Sequence, residues 1–154
     1  MTEGIEFVLA DESDFAHLAA LRYRWRAEEE GERGAGEAEF EARFRLWYEA
    51  HRATHLGYLA MSEETAIGCA WLFIVDRIPG PKKFIRRAGI LQSVYVEPPR
   101  RNSGVGAGLL RRLINDAKER ELDYLMVHPS PASFSFYRRL GFAESGRVLE
   151  LRFV

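Results

Sequence analysis

The feature that most constrains how this chain folds is a basic, glycine-rich segment between an apolar run and an amphipathic pattern. The apolar run covers residues 90–96, and Pro98 ends it because proline cannot donate a hydrogen bond to a sheet ladder. The segment at 101–108 reads Arg-Asn-Ser-Gly-Val-Gly-Ala-Gly. Beyond it, apolar residues return with the period of a helix. The sequence therefore predicts a strand, a glycine-rich loop and a helix in succession.

The rest of the chain shows the same change between strand and helix periods. Strands are predicted at 5–9, 56–61, 66–75, 90–96, 122–127 and 148–153, and helices at 11–30, 37–51, from 104 onward and at 130–140. Asp11 and Ser130 are suitable N-caps, and Gly141 is suited to a left-handed C-cap. With 154 residues and no repeat or linker, the sequence predicts a single domain over 1–154 in the order β-α-α-β-β-β-α-β-α-β.

Composition excludes several classes of function. The formal net charge is −1, so the chain as a whole has no electrostatic attraction for nucleic acid or an anionic membrane. A single cysteine, Cys69, cannot build a disulfide framework or a thiolate metal cluster, and the few histidines are too scattered to predict a metal site. No apolar run approaches the ~20 residues of a membrane span, and no secretory signal is recognisable. We therefore expect a cytoplasmic protein.

The glycine-rich segment predicts a phosphate-bearing ligand. The first turn of a helix carries unpaired N–H groups and a partial positive charge, and glycines let an anion approach the backbone. A P-loop ATPase site is disfavoured because Leu109 and Leu110 stand where a Lys-Ser/Thr pair is needed. A dinucleotide fingerprint is disfavoured because its third glycine is missing in both possible registers.

The segment resembles the pyrophosphate-binding motif of the GNAT family of N-acetyltransferases, Arg/Gln-x-x-Gly-x-Gly/Ala. That motif is matched at 101–106, and the hydrophobic-x-hydrophobic-x-Pro that precedes it is matched at 94–98. The stretch 136–142, Phe-Tyr-Arg-Arg-Leu-Gly-Phe, is similar to the Tyr-x-x-x-Gly-Phe ending of the family. Asn102 departs from a common glycine, Ser130 from a common asparagine and Ser133 from a common alanine. The resemblance implies an α/β (α+β) fold with a mixed, mostly antiparallel central sheet flanked by helices.

The resemblance also implies roles for individual residues. Acetyl-CoA would be the co-substrate, with an amine attacking it directly in a ternary complex, and homodimers are common in the family. Val94, Tyr95 and Val96 would pair their backbone with the pantetheine arm and the acetyl carbonyl. The pyrophosphate would lie on Arg101, Asn102, Ser103, Gly104, Val105, Gly106 and Ala107. Ser130 and Ser133 would line the far side of the cofactor.

Tyr137 is the residue that the resemblance implies for catalysis. A tyrosine with a pKa near 10 keeps its proton at neutral pH, so it could protonate the departing CoA thiolate. Composition alone favours a core tyrosine packed with Phe134 and Phe142. The attacking amine must lose a proton, and Glu97 is a weak candidate for the base, because a solvated loop carboxylate is the simpler interpretation. No base is assigned.

The acceptor amine, a small molecule or a peptide, is not identified by the sequence. An acidic run from Glu28 to Glu41 could attract a cationic amine, although a solvated charged face is the more common reason for such a run. Trp25, Trp47 and Tyr48 could line an acceptor pocket, although aromatic residues at helical spacing usually belong to the core. The alternative function is a non-catalytic acyl-CoA sensor or a protein-interaction module.

Overall fold

The computed structural model describes residues 2–154. Its strands are β1 (Ile5–Leu9), β2 (His55–Ser62), β3 (Thr65–Asp76), β4 (Arg87–Val96) and β5 (Leu125–Val127). Its α-helices are α1 (Phe15–Tyr23), α2 (Glu37–His51), α3 (Val105–Glu119) and α4 (Phe134–Arg139). One π-helical segment, Arg24–Glu29, continues α1, and short 3₁₀ turns cover Glu12–Asp14, Pro98–Arg100 and Pro131–Ser133.

The five strands form one sheet in the order β1-β2-β3-β4-β5. The first four strands pair antiparallel to their neighbours, whereas β5 runs parallel to β4. Successive side chains of a strand point to opposite faces, and the two faces have separate cores. Leu59, Cys69 and Trp71 pack with α1 and α2, whereas Ala60 and Leu72 pack with α3. This mixed, mostly antiparallel α/β architecture confirms the predicted fold class.

Local signals place most element boundaries where the sequence predicts them. Asp11 caps the first helical region in a capping box with Asp14, because each side chain accepts a hydrogen bond from the backbone N–H of the other. The second helix begins and ends at the predicted residues 37 and 51. Gly141 has a φ of +96° directly after the last helix, as expected of a left-handed cap.

The predicted final strand at 148–153 is wrong. These residues have no regular secondary structure and are exposed, with Leu149 completely so. A strand exists only where another strand accepts and donates its backbone hydrogen bonds, and this segment pairs with none of the described strands. The segment has the alternation of apolar and polar residues that a strand would have, but the described fold offers it no partner strand. The order is otherwise as predicted.

The predicted strand at 122–127 is shorter in the structure. Only Leu125, Met126 and Val127 pair with β4, although Asp123 and Tyr124 make single backbone hydrogen bonds to it.

Among residues 2–154, no helix combines the length and the apolar character that crossing a membrane requires.

Candidate functional site

The parallel pair of β4 and β5 ends halfway along β4. Its last matched residues are Leu91 and Val127. Pro129 follows β5 closely and cannot donate to a ladder, whereas β4 continues to Val96 along β3. Among residues 2–154, no strand therefore lies beside the backbone of 92–96 on its β5 side. This gap is where the two faces of the sheet can meet, and it contains Val94, Tyr95 and Val96.

A β-bulge lies inside this free stretch. Cys69 is matched with Tyr95 and Trp71 with Gln92, so one residue of β3 faces two residues of β4. The extra residue is accommodated at Ser93, whose φ of +56° is unusual for a residue other than glycine. Bulges of this kind re-aim side chains and are common beside active sites.

The glycine-rich segment forms a tight turn into α3. Gly104 is the N-cap, with a φ of +87°, and Asn102 also has a positive φ of +58°. Asparagine tolerates this conformation better than most residues, so its replacement of a family glycine preserves the turn. The first helical hydrogen bond joins the Gly108 N–H to the Gly104 carbonyl at 3.0 Å. The backbone N–H groups of 105–107 therefore donate to no described residue and carry the positive end of the helix dipole.

Gly106 lies against a neighbouring ring as well as at the helix start. A Cβ added there would lie 3.4 Å from the Phe136 ring, and 3.7 Å from a methyl group of Val96. The small residue therefore keeps the end of β4, the helix start and α4 close together. Val105 and Ala107 belong to the same first turn, with the Val105 side chain buried in the core on the α3 face.

Arg101 points away from the glycine turn in this structure. Its Nη2 lies 2.5 Å from the Glu29 carboxylate, and its Nε donates to the Val96 carbonyl at 2.9 Å. Its guanidinium also lies over the Tyr95 ring, 5.7 Å from the centroid. The Ser103 hydroxyl donates to the Arg100 carbonyl at 2.5 Å. The arginine thus ties the loop to the π-helical segment.

Ser130 and Ser133 lie at the start of the last helical region, and within residues 2–154 neither side chain accepts a capping hydrogen bond. Ser130 is the N-cap residue of the 3₁₀ turn Pro131–Ser133 that leads into α4, and its hydroxyl donates to the Ser133 hydroxyl at 3.1 Å. The Ser133 hydroxyl and backbone N–H both donate to the Ser130 carbonyl, at 2.9 Å. The two serines are therefore engaged with each other at the start of the helix that carries Tyr137.

Tyr137 is buried on the α3 face of the sheet. Its ring packs edge-on against Phe136 and Phe142, with centroids 5.1 and 5.5 Å away. Burial raises the pKa of the Tyr137 hydroxyl above its usual value, so the group keeps its proton well beyond neutral pH. The hydroxyl makes no hydrogen bond to another residue of the range 2–154. The core environment and a role as proton donor are therefore compatible.

Glu97 is neither solvated nor free. Its carboxylate is ion-paired with Arg24, which lies on the π-helical segment above the end of β4. A carboxylate bound to arginine is a poor proton acceptor, so the pair argues against Glu97 as the base. Other acids of the run 28–41 are also paired: Glu29 with Arg101, and both Glu30 and Glu32 with Arg26. These ion pairs neutralise much of the predicted acidic surface.

A cavity of about 290 Å³ opens on the opposite face, between α1, α2 and the sheet. Trp47 lines it, whereas Tyr48 is buried in the core and Trp25 stacks on Tyr95 with centroids 5.5 Å apart. Arg22, Gln92 and Ser93 also line this cavity, and sequence analysis missed them. Nothing in the linear pattern marks them, because the bulge that gathers them depends on strand register.

A strand edge left open beside an amide-lined helix start can receive an extended ligand that ends in a diphosphate. The family model for the acetyltransferase (GNAT) family matches residues 18–142. The chain belongs to this family and is an acetyl-CoA-dependent N-acetyltransferase.

Individual relatives agree with this assignment. A glucosamine 6-phosphate N-acetyltransferase 1 of Oryza sativa subsp. japonica is 31% identical over 120 residues, which are 73% of this chain and 70% of the relative. The crystal structure of a predicted acetyltransferase with acetyl-CoA from Clostridium acetobutylicum is 26% identical, covers 96% of each chain and superimposes with a TM-score of 0.74. Glucosamine-6-phosphate N-acetyltransferase from Arabidopsis thaliana, at 16% identity, has the same fold over 99% of this chain and 100% of its own, with a TM-score of 0.72.

Proposed function

We propose that this enzyme acetylates a primary amine of a small molecule or a peptide by direct attack on acetyl-CoA in a ternary complex. The observation that carries the proposal is the end of β4–β5 pairing at Leu91 and Val127, just before the turn at Gly104. The gap offers an extended pantetheine arm a stretch of backbone that β5 does not pair, and the turn offers unpaired amides to its diphosphate. A single linear ligand can occupy both features in order.

The residues would divide the work as follows. Val94, Tyr95 and Val96 line the gap and would hold the pantetheine arm and the acetyl carbonyl, with a backbone N–H donating to the carbonyl oxygen as negative charge develops there. The turn 101–107 would hold the diphosphate. Ser130 and Ser133, which lie at the start of the helical region that carries Tyr137, would line the far side of the cofactor.

The chemistry requires two proton movements. The lone pair of the free amine forms the new C–N bond at the thioester carbon, the C–S bond breaks, and its electron pair leaves with the thiolate. Tyr137 would give that thiolate a proton or a hydrogen bond, and the ammonium formed at nitrogen would lose its proton to water. The Tyr137 hydroxyl is suited to this because burial keeps it protonated.

Calorimetry and melting curves with acetyl-CoA test the binding part of the proposal. A ligand that binds only the folded protein adds about 2.7 kcal/mol of stability at a hundredfold excess over its Kd. We expect acetyl-CoA to raise the melting temperature by several degrees. A melting curve that millimolar acetyl-CoA and CoA both leave unmoved would contradict the proposed site.

Release of free CoA thiol in the presence of an amine panel tests the transfer itself. Glucosamine 6-phosphate belongs in the panel because the relative from Oryza is named for it. Binding of acetyl-CoA without CoA release from any amine would favour the sensor function over catalysis.

The same proposal covers the assembly and the location of the enzyme. All of 1–154 would act as one catalytic domain. The exposed Leu149, Leu151 and Phe153 support a homodimer, because exposed apolar clusters mark interaction surfaces. Light scattering after size-exclusion chromatography should give the mass of a dimer for this protein and the mass of a monomer for the double variant Leu149→Glu, Leu151→Glu.

The free Cys69 thiol is in keeping with the reducing cytoplasm, where acetyl-CoA is available.

A further inference from the structure

The cavity on the α2 face is walled by flat aromatic rings. Phe40, Phe44 and Trp47 stack in a row along α2, with successive centroids 5.4 and 5.5 Å apart and planes within 14°. Trp71 of β3 meets this row edge-on, 6.0 Å from both Phe44 and Trp47. At about 290 Å³ the cavity is at the small end of ligand sites, so it suits one ring with a short side chain.

Among the described residues that line this cavity, one side chain is cationic and none is acidic. Arg22 is partly buried, and its Nη1 donates to the Ser93 hydroxyl at 3.0 Å. Arg22 forms no ion pair with any residue of the range 2–154; its guanidinium lies over the Trp25 ring, 5.5 Å from the centroid, and the neighbouring Arg26 is itself ion-paired with Glu30 and Glu32. A guanidinium offers paired donors in one plane, which match the two oxygens of a carboxylate.

The remaining titratable group at the cavity is His55. Burial and the nearby His51 lower the pKa of the His55 imidazole, so the ring is neutral at pH 7. Its ring stacks on Phe73, 4.4 Å away between centroids. The cavity therefore presents apolar rings, one neutral imidazole and one positive charge, which disfavours a polycationic acceptor.

The charged end of the cavity lies at the bulge. Ser93, which holds Arg22, is the bulged residue of β4, and it is adjacent to the backbone proposed for the acetyl group. A carboxylate on Arg22 would therefore bring an α-amino group on the neighbouring carbon toward the open gap. The ring of the same molecule would then lie against Trp47 and Trp71, which contact each other edge-on and form one wall of the cavity.

We infer that the acceptor is an aromatic α-amino acid, whose carboxylate binds Arg22 and whose ring occupies the cavity walled by Trp47 and Trp71. This inference rests on the proposed acetyl transfer and adds the class of substrate. The juxtaposition of a partly buried, unpaired guanidinium with a small aromatic cavity at the bulge carries it. Each part of such a substrate has a complementary group in the site.

Three matched amines test the inference on the unaltered enzyme. L-Phenylalanine should be acetylated with a kcat/KM at least about tenfold above that of L-phenylalaninamide, which lacks only the charge. The amine of phenylalaninamide is less basic than that of phenylalanine, so a larger fraction of it is deprotonated at neutral pH. A difference in amine protonation would therefore favour the amide and cannot explain a preference for phenylalanine. L-Alanine, which lacks only the ring, should also be at least about tenfold poorer.

Two variants locate the recognition. Arg22→Gln should bring the kcat/KM values for phenylalanine and phenylalaninamide to within a few-fold of each other. Arg22→Lys should leave an intermediate preference for phenylalanine, because lysine keeps the positive charge but lacks the paired, coplanar donors of the guanidinium. Trp47→Leu should lower the preference for phenylalanine over alanine. Arg43→Gln is the matched control, because Arg43 is an exposed arginine of α2 that pairs with Glu39 and does not line the cavity.

The outcomes separate this inference from the function on which it rests. Acetyl-CoA binding together with faster turnover of glucosamine 6-phosphate, spermidine or phenylalaninamide than of phenylalanine would overturn the inference and leave the transferase intact. The inference would be equally wrong if Arg22→Gln, with an unchanged melting temperature, kept the full preference. Failure to bind acetyl-CoA would remove both.

Discussion

Arg101 is bound to Glu29 across the mouth of the gap, with 2.5 Å between Nη2 and Oε1. The same guanidinium donates its Nε to the Val96 carbonyl at 2.9 Å. The pair thus joins the π-helical segment to the loop that carries the helix start. To reach a diphosphate on that helix, the Arg101 side chain must give up Glu29, and a half-exposed ion pair costs only about 1 kcal/mol to break.

This relationship predicts opposite effects for its two members. Arg101→Gln should raise the KM for acetyl-CoA about tenfold, because a charge-assisted contact to phosphate is lost. Glu29→Gln should lower the KM by up to about fivefold, because the competing carboxylate is gone. Steady-state kinetics at fixed ionic strength measure both. Arg100→Gln is the neighbouring control, and an effect of similar size there would assign the change to general charge.

Tyr137→Phe should lower kcat by about a hundredfold with little change in the Kd for acetyl-CoA, because only proton donation is removed. The melting temperature should stay within about a degree, since the hydroxyl makes no hydrogen bond in the part of the chain described. Tyr124→Phe is the matched control, because Tyr124 is exposed and its ring lies under the Arg77 guanidinium, 5.2 Å from the centroid. Unchanged turnover of Tyr137→Phe would leave Tyr137 a packing residue.

Gly68→Ala should damage both stability and the site. A Cβ at Gly68 would lie 2.9 Å from the Tyr95 carbonyl oxygen and 3.3 Å from the Leu109 side chain. Backbone cannot move aside as a side chain can, so we expect a loss of about 1–3 kcal/mol and a higher KM for acetyl-CoA. Thermal unfolding and kinetics measure these effects. Gly34→Ala, at an exposed position with open space, should leave both values unaltered.

The protein should lose stability in alkali. Burial raises the pKa of the Cys69 thiol and of the Tyr95 hydroxyl, each to about 12. The unfolded chain loses these protons near their ordinary values of 9.0 and 10.0, whereas the folded chain keeps them. The folded state then binds more protons, so the free energy of unfolding falls as pH rises above about 9, by up to about 1.4 kcal/mol per group for each pH unit.

Urea unfolding between pH 8 and 10.5 measures that slope. Cys69→Ala and Tyr95→Phe should each reduce its steepness, whatever they do to stability at pH 8. A free energy of unfolding that is constant over this range would show that the two groups titrate alike in the folded and unfolded chains.

The sequence predicts the helices and their caps well because these depend on neighbours in the chain. The capping box of Asp11 and Asp14, the bounds of α2 and the left-handed Gly141 all follow from residues within one or two turns. The glycine turn follows in the same way, and Asn102 adopts the positive φ that a glycine would. Local rules therefore sufficed to predict the tight turn at Gly104.

Strand pairing and side-chain partners could not be predicted in this way. The segment 148–153 has the alternation of a strand, yet no described strand pairs with it. Glu97 looks like a solvated acid in the sequence, but Arg24 binds it from 73 residues away. Such contacts depend on which elements the fold brings together, and no periodicity records that.

The sequence by itself determined most of the element types, the tight turn at Gly104 and the family, because backbone conformation and capping are decided over a few residues. The tertiary structure decided where β4 parts from β5, that Arg101 binds Glu29, and that Arg22 meets an aromatic cavity at Ser93. These features need residues distant in the chain to be matched in register, and the energy of long-range packing selects that register.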